Sequence, residues 1–264
     1  MPQQYFTDQM GHTLAIEQPV LRIVSLVPSQ SELLADLGLA EKLAGITKFC
    51  IHPKELKTAV QQIGGTKTVK IDEVLALKPD VVIGNKEENA QADIEALQQQ
   101  VPVWMSDITD LDSALDMIDR IGELTGTTAA AEEMVEEIRL RFAAIRPVLP
   151  ETKLSVLYLI WRKPYMAAGK GTFIDDCLTR CGWENCLSET RYPEVEVAAV
   201  NPDVILLSSE PYPFADKHIA ELQELFPKAR IVLVDGEYFS WYGSRMLGAP
   251  AYFREVLEQI EPQG

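Results

Sequence analysis

A pattern of hydrophobic and polar positions occurs twice along the chain. Residues 76–83, Ala-Leu-Lys-Pro-Asp-Val-Val-Ile, are matched by residues 199–206, Ala-Val-Asn-Pro-Asp-Val-Ile-Leu. In each copy a helix end is followed by a Pro-Asp turn and then by an apolar run rich in β-branched residues. Such a run is typical of a strand that is buried on both faces of a parallel sheet. The repeat predicts two halves of similar construction.

Other apolar runs supply further strands and helices to each half. In the first half, the strand Arg22–Val27 is followed by a helix that ends at Gly38, with Ser29 as its N-cap and Glu32 completing a capping box. The remaining predicted elements are the strands Val101–Trp104, Leu154–Ile160 and Arg230–Val234 and the helix Phe173–Cys181. The chain therefore predicts an α/β fold of two Rossmann-like lobes with parallel sheets and right-handed crossovers.

A helical segment separates the two halves. It begins at Thr127 or Thr128, ends at about Arg146 and is followed by Pro147 and Pro150. Its apolar stripe at helical spacing consists of Met134, Val135, Ile138, Phe142 and Ile145. Roughly 20 residues of helix span about 30 Å, which is enough for a stiff connector. The predicted boundaries are 1–125 for an N-terminal α/β lobe, 126–147 for a connecting backbone helix and 148–264 for a C-terminal α/β lobe.

The charge of the chain excludes some classes of partner. The 40 acidic and 24 basic residues give a formal net charge of −16, which opposes binding to nucleic acid or to an anionic membrane surface. Residues 1–12 lack a basic region followed by an apolar core, and no run of about 18 apolar residues occurs. The sequence thus predicts neither an export signal nor a transmembrane helix in this chain.

The four cysteines are too few for a disulfide scaffold. Cys177, Cys181 and Cys186 follow one another at spacings of four and five in a segment that reads as helical. This spacing favours buried thiols on one helix face. A metal site would need a fourth ligand and a tighter pair of cysteines.

The loops that follow the predicted strands are the candidates for ligand binding, because ligands of open parallel sheets gather at the carboxyl ends of strands. Glu87 and Glu210 occupy equivalent positions in the two halves, and facing lobes would turn both carboxylates toward one cleft. Aromatic residues cluster in the same loops and favour a large planar or apolar ligand, although ordinary packing is an alternative for each one. The candidate ligand-binding residues are Phe49, Glu87, Trp161, Tyr165, Glu210, Tyr212, Phe239, Trp241, Tyr242 and Arg245.

Signals for catalysis and for a metal site are weak. There is no Gly-x-Ser-x-Gly elbow and no complete phosphate loop, and residues 64–67 are interpreted as a turn before the next helix. Cys50 and His52 lie two residues apart, and His52 is a weak candidate metal ligand. The sequence predicts a binding protein without an intrinsic cofactor and not an enzyme. The first alternative is an enzyme on the same scaffold that uses Glu87 and Glu210 as acid and base.

Three stretches carry a resemblance to a known family: residues 22–29 together with Glu32, residues 76–83, and residues 182–185 after a helix. Together they resemble the class III periplasmic binding proteins of ABC importers, the helical backbone metal receptor superfamily. The resemblance extends from about Leu21 to Phe253 and is closest to the cobalamin-binding branch.

The resemblance implies a ligand, a partner and a location. A corrinoid, haem or iron-siderophore ligand would bind between two α/β lobes joined by one long helix, and any cobalt or iron would belong to the ligand. Acidic residues would dock the protein, as a monomer, to arginines of the importer membrane subunits. By position these residues are Asp72 or Glu73 and Glu194 or Glu196. The implied location is the periplasm or another extracytoplasmic space. The missing export signal keeps open a second alternative, an intracellular cofactor chaperone or sensor.

Overall fold

The computed structural model describes residues 3–145 and 153–260. They form two compact units. The first unit takes the described residues within Met1–Ile108, Asp112–Glu136 and Tyr242–Arg245, and the second takes those within Thr109–Leu111, Glu137–Trp241 and Met246–Gly264. Both units combine helices with largely parallel sheets, so the predicted α/β class is confirmed.

The first unit is built on a parallel sheet. Its strands are β1 (Gln3–Thr7), β2 (Thr13–Glu17), β3 (Ile23–Ser25), β4 (Leu43–Ile46), β5 (Gln61–Gln62), β6 (Gly64–Gly65), β7 (Thr68–Val69), β8 (Val81–Asn85) and β9 (Val103–Ser106). Five of them form the sheet in the order β5-β4-β3-β8-β9, with every neighbouring pair parallel. The pairs β1–β2 and β6–β7 are antiparallel hairpins. The β6–β7 hairpin contains the turn predicted at residues 64–67.

The helices of the first unit each bury apolar side chains. They are α1 (Pro28–Leu34), α2 (Leu56–Ala59), α3 (Ile71–Ala76), α4 (Gln91–Gln98) and, apart from its first residue, α5 (Leu111–Thr125); a π-helical turn Ala35–Leu39 and a 3₁₀ turn Ala40–Lys42 follow α1. In α5, Leu111, Leu115 and Ile118 are buried at the spacing i, i+4, i+7, which is the pattern of one helix face.

Helix α6 (Thr128–Ala143) is continuous across one of the points where the chain passes from one unit to the other, between Glu136 and Glu137. Of the predicted stripe, Val135, Ile138, Phe142 and Ile145 are buried and Met134 is half-buried. The predicted end at Arg146 and the breakers Pro147 and Pro150 lie outside the described residues. The domain boundaries drawn from the sequence stay a prediction.

The second unit repeats the construction of the first. Its strands are β10 (Ser155–Trp161), β11 (Met166–Ala167), β12 (Glu184–Asn185), β13 (Val204–Ser208) and β14 (Arg230–Val234), and its helices are α7 (Phe173–Arg180), α8 (Asp216–Leu225), α9 (Gly236–Ser240) and α10 (Ala249–Ile260). The sheet runs β11-β10-β13-β14, with β12 also paired to β10. All of these pairs are parallel except β10–β11. Thr172 caps α7 by accepting a hydrogen bond from the Asp175 amide at 3.2 Å.

The aspartates of the two Pro-Asp turns make equivalent hydrogen bonds in the two units. The Asp80 carboxylate accepts hydrogen bonds from the amides of Leu21 and Arg22 at 2.7 and 2.8 Å. The Asp203 carboxylate accepts one from the Ser155 amide at 2.8 Å. Each aspartate therefore fixes the start of the neighbouring strand, β3 or β10. This shared contact is a physical reason for the repeated sequence.

Removing the Asp80 carboxylate should lower the stability of the protein. Asp80→Ala deletes the acceptor of two amides, and a hydrogen bond to a charged group contributes about 1.5 to 3 kcal/mol when buried. Because this site is partly exposed, we expect the free energy of unfolding to fall by about 1 to 2 kcal/mol. The loss is measured as a lower midpoint of urea unfolding. Asp80→Asn is the matched control, since its amide oxygen still accepts, and it should lose less. Equal losses for the two variants would contradict the assigned role.

Several predictions of local structure were wrong. Helix α1 begins at Pro28 with Val27 as N-cap and no capping side chain, so Ser29 is not the cap and Glu32 completes no capping box. Proline takes the first helical position readily because it has no amide hydrogen to satisfy. The segment before the second Pro-Asp turn is a 3₁₀ turn, Val197–Ala199. Cys186 lies beyond β12 and is half-buried, so the three thiols do not share a helix face.

Candidate ligand-binding site

The carboxyl ends of the strands in the first unit rest on a buried polar network. The Gln30 side-chain amide donates to the Ser106 hydroxyl at 2.6 Å, and the Asn85 side-chain amide donates to the same oxygen at 3.0 Å. Ser106 in turn donates to the Gly84 carbonyl at 3.1 Å. These three hydrogen bonds join Gln30 to the ends of β8 and β9, while the buried Gln30 Oε1 has no hydrogen-bond partner. None of these side chains was among the ligand-binding residues predicted from the sequence.

Two asparagines fix the loop that carries Glu87. Asn85 Oδ1 accepts from the amides of Glu87 and Glu88 at 2.8 and 3.1 Å, and Asn89 Oδ1 accepts from the Asn85 amide at 2.8 Å. The Lys67 ammonium donates to the Glu87 carbonyl. Burial raises the pKa of Glu88, with Lys67 opposing the shift and Glu87 adding to it. The backbone of this loop is therefore ordered, with a half-buried Glu87 beside the end of β8.

The loop after β4 contains an exposed aromatic ring. Phe49 is 49% exposed, and the Lys48 ammonium lies 5.0 Å from the centre of its ring. The neighbouring Cys50 is buried, with its sulfur 3.0 Å from the Ser31 hydroxyl. Burial raises the pKa of this thiol, so it stays protonated at neutral pH and its role is packing. Among the described residues no group of three or more His, Cys, Asp or Glu side chains could hold a metal ion, and His52, itself half-buried, does not belong to such a group.

Arg245 is engaged by Glu32 within the first unit. Its Nε donates to Glu32 Oε2 at 3.0 Å and its Nη2 donates to Oε1 at 2.6 Å, which is the bidentate geometry that guanidinium and carboxylate favour. Gly243, at φ 110°, allows the segment to approach α1, because a Cβ there would lie 3.2 Å from Leu33 Cβ and 3.3 Å from the Ser29 carbonyl. The pair anchors residues 242–245 onto the first unit. Tyr242 is buried in this segment.

An aromatic cluster stands at the strand ends of the second unit. Trp161, the last residue of β10, is 40% exposed, and its ring meets Tyr212 edge to face at a centroid distance of 5.7 Å. Tyr212 in turn packs against Phe214 at 4.8 Å. The Tyr212 amide donates to the Ile160 carbonyl at 3.3 Å, which ties the loop after β13 to the end of β10. Edge-to-face pairs of this kind are favourable beyond the area they bury, so the two rings form one surface.

A charged network lies next to this cluster. Arg162 Nη2 donates to both carboxylate oxygens of Glu221, at 2.8 and 2.6 Å, and the Tyr165 hydroxyl donates to Glu221 Oε1 at 3.1 Å. The hydrogen bond from Arg162 lowers the pKa of Glu221. The hydroxyl of Tyr165, which was predicted as a ligand contact, is therefore hydrogen-bonded to Glu221. Its half-buried ring packs against the core of the unit.

Glu210 and its aromatic neighbours contact one another and the core of the second unit. Glu210 Oε1 accepts from the Trp241 indole at 2.8 Å and from the Ser240 hydroxyl at 2.7 Å. Phe239 is fully buried and packs on Phe253 at 4.6 Å and on Tyr158 at 5.3 Å. Trp241 is 8% exposed. The aromatic run 238–242 thus belongs mainly to packing, and Glu210 holds the C-terminal end of α9.

The acidic residues proposed for docking lie near the surface. Asp72, Glu194 and Glu196 are exposed, and Glu73 is half-buried and paired to Lys70 at 2.8 Å. Asp72 and Glu73 are in the first turn of α3, while Glu194 and Glu196 precede the 3₁₀ turn Val197–Ala199. In the part of the chain that the structure describes, no helix is both long and apolar enough to cross a membrane.

Exposed aromatic rings beside the carboxyl ends of parallel strands are typical of small-molecule binding sites. The sequence matches the periplasmic binding protein family over residues 23–225, more than three quarters of the chain. The chain belongs to this family, which confirms the resemblance seen in the sequence. Since the family consists of binding proteins, the prediction that the chain is not an enzyme is confirmed as well.

Individual relatives share the fold and part of the sequence. A vitamin B12-binding protein of Vibrio campbellii is 25% identical over 197 residues, which cover 72% of this chain and 71% of that protein. The periplasmic vitamin B12-binding protein BtuF of Vibrio cholerae superposes with a TM-score of 0.80 at 21% identity, covering 93% of this chain and 99% of that one. The periplasmic haem-binding protein RhuT of Roseiflexus sp. RS-1, in its apo form, gives a TM-score of 0.79 at 22% identity, covering 91% and 99%.

Proposed function

We propose that this chain is the substrate-binding protein of an ABC-type importer and that it binds cobalamin, a related corrinoid, or an iron chelate such as haem or a ferric siderophore. The observation that carries the proposal is the surface formed by Trp161 and Tyr212 at the strand ends of the second unit. Phe49 supplies an exposed ring at the corresponding edge of the first unit. The names of the relatives point to the same two ligand classes, cobalamin and haem.

The chemistry of the exposed rings fits a large, partly apolar ligand. Corrin and porphyrin macrocycles are broad faces that stack on aromatic side chains, and the apolar contact area supplies most of the affinity of such sites. The ligand would carry any metal itself. The prediction that it lies in a cleft between the two units stays a prediction.

Delivery to a membrane partner completes the proposed role. The docking residues would be Asp72 or Glu73 on α3 and Glu194 or Glu196 before the second Pro-Asp turn. Carboxylates at exposed positions suit a basic partner surface, and the net charge of −16 would speed the encounter with it. An extracytoplasmic location is part of the same proposal.

The proposal is tested by titrating the purified protein with cyanocobalamin, haem and a set of ferric siderophores. Tryptophan emission and visible absorption are followed together, because Trp161 would be quenched by a coloured ligand in contact with it. We expect saturation by one of these classes at micromolar concentration or below, with one ligand per chain. A protein that gives no saturable signal with all three classes would contradict the proposed function.

A further inference from the structure

His218 is a buried histidine that stands behind the exposed aromatic pair. It lies in the first turn of α8, is 2% exposed, and packs edge to face against Tyr212 and Phe214 at centroid distances of 5.5 and 5.4 Å. Its Nε2 lies 3.3 Å from the Tyr212 hydroxyl. Tyr212 is the same residue whose ring supports Trp161. One imidazole thus contacts the partner of the exposed tryptophan from the buried side.

The hydrogen bonds of the ring fix its protonation state. Nδ1 of His218 accepts from the Ala215 amide at 2.9 Å. A ring nitrogen that accepts from an amide carries no hydrogen, so the proton of the neutral ring is on Nε2 and points at the Tyr212 oxygen. The contact with Ala215 also satisfies one of the backbone amides at the start of α8, which have no partner inside the helix. The neutral ring therefore caps the helix and positions Tyr212 at the same time.

Protonation would break this arrangement. The imidazolium carries hydrogen on both nitrogens, so Nδ1–H would face the Ala215 N–H, and two donors cannot share a hydrogen bond. The charged groups around the ring are Lys217 and Glu221 on α8 and Arg162 from the loop after β10, with Tyr212 at Nε2. Glu221 is already bound to Arg162 and Tyr165. Burial first, then the positive charges of Lys217 and Arg162, lower the pKa of His218 below its ordinary value of 6.5.

We propose that His218 is a positioning residue that makes the Trp161–Tyr212 surface sensitive to pH: the neutral ring holds Tyr212 in place, and the protonated ring releases it together with the first turn of α8. This inference rests on the proposed function in one respect, because it takes the Trp161–Tyr212 surface as the one that binds ligand. That surface would be ordered for binding at pH values where His218 is neutral and loosened where His218 is protonated. The stability that the neutral ring contributes is complete above pH 6.5, because the unfolded chain binds the proton more readily than the folded one. It is lost as the pH falls from 6.5 through the lowered pKa of the folded protein.

The test uses the ligand-free protein. Histidine ring NMR between pH 8 and 4.5 should show the Nε2–H tautomer for His218 and a midpoint below 6.5, the ordinary value. Tryptophan emission over the same range should change with the same midpoint. Trp161→Phe identifies the share of the emission change that comes from Trp161. His12→Gln, at an exposed histidine of the first unit, should leave the emission change with pH unaltered.

His218→Gln is the decisive variant, because the glutamine oxygen can accept from Ala215 as it does in a capping box and does not titrate. It should keep the thermal stability of the wild type within a few degrees and lose the pH response of Trp161. His218→Ala, without an acceptor, should melt lower at all pH values. A His218 midpoint at or above 6.5, or a Trp161 response that persists in His218→Gln, would overturn the proposal. The pH titration uses no ligand, so failure of the ligand titration would not affect the inference about His218. Trp161 emission that does not change with pH would contradict that inference and would not affect the proposed function.

Discussion

Replacing Trp161 with alanine is expected to weaken binding of the corrinoid or iron chelate by about 2 to 4 kcal/mol, which is about a 30-fold to 700-fold rise in Kd. Trp161 presents the most exposed ring of the aromatic cluster in the second unit, and Tyr212 holds it in one orientation. A ring that is ordered before binding loses little conformational entropy when the ligand arrives. The measurement is an equilibrium titration with whichever compound of the panel binds the wild type.

Two matched variants separate ring chemistry from other effects. Trp161→Phe keeps an aromatic face and should retain most of the affinity. Tyr5→Ala removes an exposed ring from the β1–β2 hairpin of the first unit and should leave the affinity unchanged. Unfolding midpoints of all three variants should stay close to that of the wild type, because both rings are exposed. Wild-type affinity in Trp161→Ala would show that the ligand lies elsewhere.

The second large effect concerns stability and not ligand binding. Phe239→Ala should destabilise the protein by about 3 to 5 kcal/mol, which is the usual cost of deleting a buried aromatic ring. The ring packs on Phe253 and Tyr158 with no exposed surface, so its removal leaves a cavity in the second unit. Urea unfolding measures the loss. Phe49→Ala, at an exposed ring, is the control and should change the midpoint little.

Phe239→Leu distinguishes packing from ligand contact. Leucine refills most of the volume, so this variant should be much more stable than Phe239→Ala. Its affinity for the ligand should equal that of the wild type, since the ring does not reach the surface. A variant with near-normal stability and much weaker binding would restore Phe239 to the ligand contacts predicted from the sequence.

The repeated elements were predictable because their signals are local. The Pro-Asp turns and the apolar runs after them predicted β8 and β13. The carboxyl ends of the strands and the loops after them proved to hold Phe49, Trp161 and Tyr212 with exposed or half-buried rings. A β-branched run between turn residues specifies a buried strand with little help from distant parts of the chain. The apolar stripe of α6 was predictable for the same reason, because helical spacing is a local pattern.

The predictions that failed depended on contacts far apart in sequence. The run 238–242 reads as a cluster of loop aromatics, yet α9 begins at Gly236 and turns Phe239 into the core. Glu32 has the spacing of a capping residue, but it binds Arg245, which is 213 positions away. A local pattern cannot reveal such a distant partner. The network of Gln30, Asn85 and Ser106 joins residues up to 76 positions apart. The sequence signal for this network was a polar residue at the end of a buried strand, such as Asn85, the last residue of β8.

The measurement that tests the account most directly is hydrogen–deuterium exchange of the wild-type protein with and without a saturating concentration of the panel compound that binds. A ligand held on the Trp161–Tyr212 surface would slow exchange in residues 161–165 and 210–214 of the second unit. Exchange that is unchanged in both segments, or slowed only elsewhere, would contradict the proposed binding surface.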